Sequence, residues 1–123
     1  MYCSREDVIE AVRKAFREMQ VERVFAYNAA FDKRHLPELG GYVWYDIMKL
    51  AAYRQYNPKI SASMEFCRTG RLKRGFRVGD VTRYLTDGEE YEEMHNALTD
   101  ARDELRIMKL LEHPLHVYEC ARI

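Results

Sequence analysis

The sequence predicts an α/β domain with a small parallel sheet, and three observations carry that expectation. Helix-periodic apolar residues open the chain, two short β-branched and aromatic runs follow, each leading into a helical pattern, and a long amphipathic run closes it. Alternation of strand with helix is the pattern that parallel sheets leave in sequence.

Ser4-x-x-Asp7 has the form of a capping box, and Val8, Val12, Ala15, Phe16 and Met19 recur at helical spacing behind it, so a first amphipathic helix runs to about Met19. Arg23 to Tyr27 is short, β-branched and aromatic, and Tyr42-Val43-Trp44-Tyr45 repeats that texture after Gly40-Gly41. A short helix from about Ala29 to Leu36 lies between them. Asp46 stands where an N-cap would, before Ile47, Leu50 and Ala51, and predicts a helix that stops at about Tyr56, ahead of Pro58.

Ile60 to Gly79 has a different texture and predicts a β-hairpin insertion: Ser61–Cys67 as one strand, Arg68–Arg71 as the turn and Leu72–Phe76 as the return strand. Val81–Leu85 follows as a short helix and Asp87–Glu93 as an acidic loop. The last helix, Ala97–Leu111, places Ala97, Ala101, Leu105, Met108 and Leu111 on its apolar face and ends before Pro114.

Composition bounds the function. The 123 residues, 47% hydrophobic and 33% charged, fit one domain spanning 1–123. Lys plus Arg and Asp plus Glu both number 20, so no global field draws the chain to a polyanion, and any nucleic-acid contact is local. Cys3, Cys67 and Cys120 are odd in number and lack C-x-x-C spacing, which argues against a disulfide framework or zinc site and for free thiols in a reducing compartment. No secretory pattern opens the chain, and no apolar run approaches the roughly 20 residues needed to span a bilayer, so the expectation is a cytoplasmic protein without membrane contact.

Two short parallel strands are too little sheet to stand alone, and the edge of Val24–Tyr27 needs a neighbour. Another chain covers it, a segment encoded elsewhere does, or the edge is prone to aggregate.

The chemistry-bearing residues sit around those strands. Asp32 falls just past the end of the first strand, the usual place for a functional site in an open α/β sheet. Asp100 lies in the first turn of the last helix, with His95 five residues earlier. Carboxylates are the natural ligands of hard divalent cations, and a histidine titrating near neutral pH suits a general base acting on water. Taken singly, each residue also has an ordinary explanation: acidic residues stabilise first turns of helices, and histidines often stand at the surface. His35, His113 and His116 show no partner pattern.

Asn28-Ala29-Ala30-Phe31-Asp32 and His95-x-x-x-x-Asp100-Ala101 together resemble the second and third exonuclease motifs of the DEDDh, or DnaQ-like, 3'-5' exonucleases. Tyr45–Ala51 resembles the strand-to-helix segment that follows the second motif, so the likeness covers roughly Arg23 to Leu111. It implies a ribonuclease H-like fold, two Mg2+ or Mn2+ ions and removal of nucleotides from the 3' end of DNA or RNA. Carried over, Asp32 and Asp100 become metal ligands and His95 the general base, while Asn28 supports the second motif and Phe31 packs beneath or beside the substrate.

The family's first motif, an Asp-x-Glu on an N-terminal strand, has no counterpart. Glu6, Asp7, Glu10, Glu18 and Glu22 lie in or just after a helical pattern, and Asp87-Gly88-Glu89 has the character of a solvated turn. The resemblance therefore implies a domain truncated at its N-terminus, whose absent strands would include the neighbour of Val24–Tyr27, supplied by a complementing segment or a second polypeptide. A metal pair held by two carboxylates binds weakly, so the isolated chain is expected to show little or no nuclease activity.

The basic cluster Arg68, Arg71, Lys73, Arg74 and Arg77 on the insertion is placed to grip a phosphate backbone, with Tyr53, Tyr56 or Phe76 stacking on bases. It serves equally as a charged hairpin that resists edge pairing. Two other functions stay open: a catalytically inactive nucleic-acid-binding module, and an interaction protein that forms a homodimer or docks through its exposed sheet edge.

Overall fold

The computed structural model describes residues 4–87 and 97–123. Helix α1 (Arg5–Glu18) starts from the predicted capping box: the Ser4 hydroxyl accepts from the Asp7 N–H at 3.1 Å, and the Asp7 carboxylate accepts in return from the Ser4 N–H. Strand β1 (Arg23–Ala26) leads into α2 (Ala29–His35), and a 3-10 turn (Pro37–Leu39) leads to β2 (Val43–Asp46). The strands pair in parallel, Arg23 opposite Val43 through Ala26 opposite Asp46. The mixed α/β class is the predicted one.

Alternation sends neighbouring side chains to opposite faces of this ribbon. Val24, Ala26 and Trp44 face α1 and α2, where Val12, Phe16, Leu36 and Leu39 pack on them. The Trp44 indole N–H, 2% exposed with its residue, is satisfied by the Leu39 carbonyl at 3.0 Å. Phe25 and Tyr45 face the other way, stacked at 5.0 Å between ring centres, against Leu50, Met108, Leu111 and Tyr118. Beyond them Ile47, Ala51, Val81, Leu85 and Ile107 form a continuous apolar cluster. Its outer members come from α4 (Val78–Leu85) and α5 (Ala97–Leu111).

Two predicted elements are corrected. The helix after Asp46 is the single turn α3 (Met48–Ala51) rather than a run to Tyr56. Its carbonyls are diverted: Ala51 O accepts from the Asn57 side chain at 2.8 Å and Ala52 O from Leu72 N–H at 2.9 Å. The hairpin insertion contracts to a turn flanked by isolated bridges, Phe66 to Leu72 and Tyr53 to Arg71, with no regular strand among its described residues. The chain through Gly70–Leu72 bonds back to Ala52 and Arg54 as well as to Cys67, so no long two-stranded ladder forms. Gly70 is required there: at φ +94 and against the Gln55 side chain, a Cβ would strain the backbone and collide.

The edges of the sheet differ. Beyond β2, the C-terminal residues close the ladder, with Arg122 bridging Tyr45 and the Ile123 N–H bonding Trp44 O at 3.1 Å, after a 3-10 segment (Leu115–Ala121). Beyond β1, no described strand follows. The expected acidic loop lies, from residue 88 on, outside the described residues. No helix among those described is long and apolar enough to cross a membrane.

The apolar face of α5 is turned relative to expectation: Ile107 is fully buried while Leu105 is 50% exposed. Ile107→Ala should therefore lower stability by about 2–5 kcal/mol, against under about 1 kcal/mol for Leu105→Ala, as urea midpoints would read. Equal losses would contradict this orientation.

Candidate carboxylate site at the strand exits

Both parallel strands end at one place, and backbone geometry gathers acidic groups there. Asn28 takes the left-handed conformation, φ 61 and ψ 53, which asparagine tolerates better than most residues and which turns the chain from β1 into α2. Its N–H donates to Asp46 Oδ1 at 2.8 Å, and Met48 N–H donates to the same oxygen at 3.0 Å. One carboxylate thus ties the exit of β1 to the exit of β2.

Asp32 stands half-buried in the first turn of α2. From α5, Glu104 accepts the Tyr27 N–H at 2.8 Å. Burial raises the proton affinity of Asp32 above the usual carboxylate range, and the Asp46 charge raises it further, with His35 opposing. Glu104 is raised by burial and then by Asp32, Asp100 and Asp103. Asp46 is raised by burial, partly offset by N–H groups of Met48, Asn28 and Ala29.

Of the sequence-predicted ligands, Asp32 and Asp100 both reach Glu104 electrostatically, with Asp100 exposed on α5. His95 lies outside the described residues. Among those described, no three His, Cys, Asp or Glu side chains converge closely enough to hold a metal ion. The donors present are hard oxygens of the right type for Mg2+ or Mn2+, but too few of them meet. Asp46 and Glu104 belong to the neighbourhood although the motifs do not include them. Glu104 was accessible from spacing alone, since it falls one turn after Asp100 on the same helix face.

The predicted substrate-contacting residues divide. Asn28 shapes the turn through its backbone, and Phe31, 50% exposed, stacks on His35 at 4.2 Å. Arg71 is half-buried, its guanidinium 4.8 Å from the centre of the Phe76 ring and its Nε donating to Leu72 O at 3.3 Å, so it braces the insertion. Lys73 and Arg74 are exposed, Arg74 within 3.7 Å of Glu65. The Tyr27 hydroxyl donates to Phe76 O, bringing the insertion to the strand exits, and a cavity of about 340 Å³ opens there between Asn28, Met48, Phe76 and Arg77. Burial, with Asp46 and Asp80 nearby, drives the Tyr27 phenol far above its ordinary range.

The raised carboxylates fix a sign. Each holds its proton more tightly folded than unfolded, so its contribution favours folding below the ordinary Asp and Glu values and is lost as pH climbs through the raised ones. Glu104→Gln keeps an acceptor for Tyr27 N–H and removes the charge. It should be more stable than the parent at neutral pH, with a flatter urea-midpoint profile between about pH 4 and about pH 7. Parallel profiles would contradict the account.

Compared with family models, curated proteins and solved structures, the chain matches none.

Proposed function

We propose that the chain is a 3'-5' exonuclease-like domain of DEDDh type, contributing part of a centre that hydrolyses phosphodiester bonds at the 3' end of DNA or RNA. Asp32 and Asp100 are the proposed ligands to Mg2+ or Mn2+, His95 the proposed general base, and Phe31 the proposed substrate-facing aromatic. The observation that supports this reading most is the pairing of sequence motif with place. Asp32 and Asp100, from motifs far apart in the chain, both act on one half-buried carboxylate, Glu104, at the exit of a parallel strand.

The ligand count limits what the chain does alone. The proposed pair, even with Glu104 nearby, falls short of a metal-holding set among the described residues; on this reading the further ligands come with an Asp-x-Glu strand. The exposed Lys73 and Arg74, with the cavity beside Phe76 and Arg77, favour a second reading in which the chain holds a single strand without cutting it.

The test is nucleotide release from a 5'-labelled single strand with Mn2+, comparing the folded chain with its Asp100→Ala variant. Neither should shorten the strand alone. Stepwise 3' shortening that vanishes in the variant would show a site complete without further ligands and would overturn the claim of incompleteness. Retention of the strand should weaken with salt and fall several-fold in Lys73→Glu/Arg74→Glu. Unchanged retention would remove the insertion from the proposed interface.

A further inference from the structure

Strand β1 has one satisfied edge. Val43 N–H bonds Glu22 O and Ile47 N–H bonds Ala26 O, so the backbone groups of residues 22, 24 and 26 point to β2. Those of Arg23, Phe25 and Tyr27 point the other way. Glu104 takes the Tyr27 N–H. The outward groups of Arg23 and Phe25 have no partner among the described residues. Alongside this edge runs a cavity of about 490 Å³, floored by Val24, Ala26 and Trp44 and walled by Val12 and Phe16 of α1, and it ends at Asp32 and Glu104. Val8 at its lip is 51% exposed.

We infer that this groove is the seat of an extended polypeptide strand, apolar at alternate positions, that adds to the free edge of β1 and ends beside Asp32 and Glu104. The free N–H and C=O groups select the occupant's class. A polypeptide in β conformation answers them, as in recognition by strand addition, whereas a helix leaves them unmet. The apolar floor selects alternate apolar side chains, because those alone face it. Charge complementarity selects the end: the groove finishes at two carboxylates, Asp32 and Glu104, which disfavour an acidic strand unless a cation accompanies it. The seat is independent of the nuclease reading; the identity of the strand's polar residues rests on it. On that reading the strand carries Asp-x-Glu, and the shortage of metal ligands and the empty edge are filled by one event.

Trp44, the single tryptophan of the chain, lines the groove and reports its filling. The probes are two eight-residue synthetic peptides with Val at alternate positions, one ending in Asn-x-Gln and the other in Asp-x-Glu. The neutral peptide should change Trp44 emission saturably with or without Mn2+. Its affinity should fall at least tenfold in Val8→Asp, which charges the exposed lip, and in Arg23→Pro, which removes an outward N–H at an exposed position. No saturable change, or equal affinity in both variants with circular dichroism unaltered, would overturn the seat. The acidic peptide should bind tighter with Mn2+. Binding indifferent to Mn2+ would leave the seat standing and overturn the nuclease reading.

Discussion

Half of the backbone hydrogen bonding of β1 finds no partner among the described residues, and the neighbouring elements are arranged around that edge. A parallel ribbon of two strands has two outer edges to cover. The C-terminal residues cover one, through Arg122 and Ile123 on β2. At the other, α1 lies over the face of the sheet without closing on α5, so apolar side chains that would meet across a complete layer line a groove instead. Among the described residues, only the last outward N–H, at Tyr27, is answered, by a carboxylate reached from α5.

That carboxylate sets the electrostatics of the strand exits. Glu104 enters to satisfy Tyr27 and meets Asp32, while Asp46 is held close by the turn at Asn28 and the start of α3. Three partly buried acids, each raised first by burial, oppose folding at neutral pH. A surface pair such as Arg5 and Glu38 shows the ordinary alternative, where the guanidinium holds the carboxylate below its usual range. Clustered acids at the C-terminal end of a parallel strand put the candidate site at a point of reduced local stability.

Much of this was legible in the residues, for identifiable reasons. Ser4 and Asp7 announce α1, and the β-branched and aromatic runs announce strands whose parallel pairing follows from the helix between them. Contacts distant in sequence were not legible. The turning of α5, which buries Ile107 and leaves Leu105 exposed, depends on which neighbours reach it. The insertion loses its ladder because Leu72 and Gly70 bond to residues before the insertion as well as across it. Asp46 was expected to cap a helix and does accept the Met48 N–H, but its bond to Asn28 required knowing that two strand ends meet. Asp32 and Asp100 were found through motifs, and Glu104, one turn after Asp100, was open to the same spacing argument, but its bond to the Tyr27 N–H emerged only from the fold.

The most direct test of the open edge is amide hydrogen exchange along β1, followed residue by residue by NMR. Parallel pairing to β2 protects the N–H groups of Val24 and Ala26, while that of Phe25 faces outward without a partner among the described residues. Exchange at Phe25 should be faster by orders of magnitude than at either neighbour, at every protein concentration. Protection at Phe25 equal to that of Val24 and Ala26 would mean that the edge is already covered, and the central claim would fall.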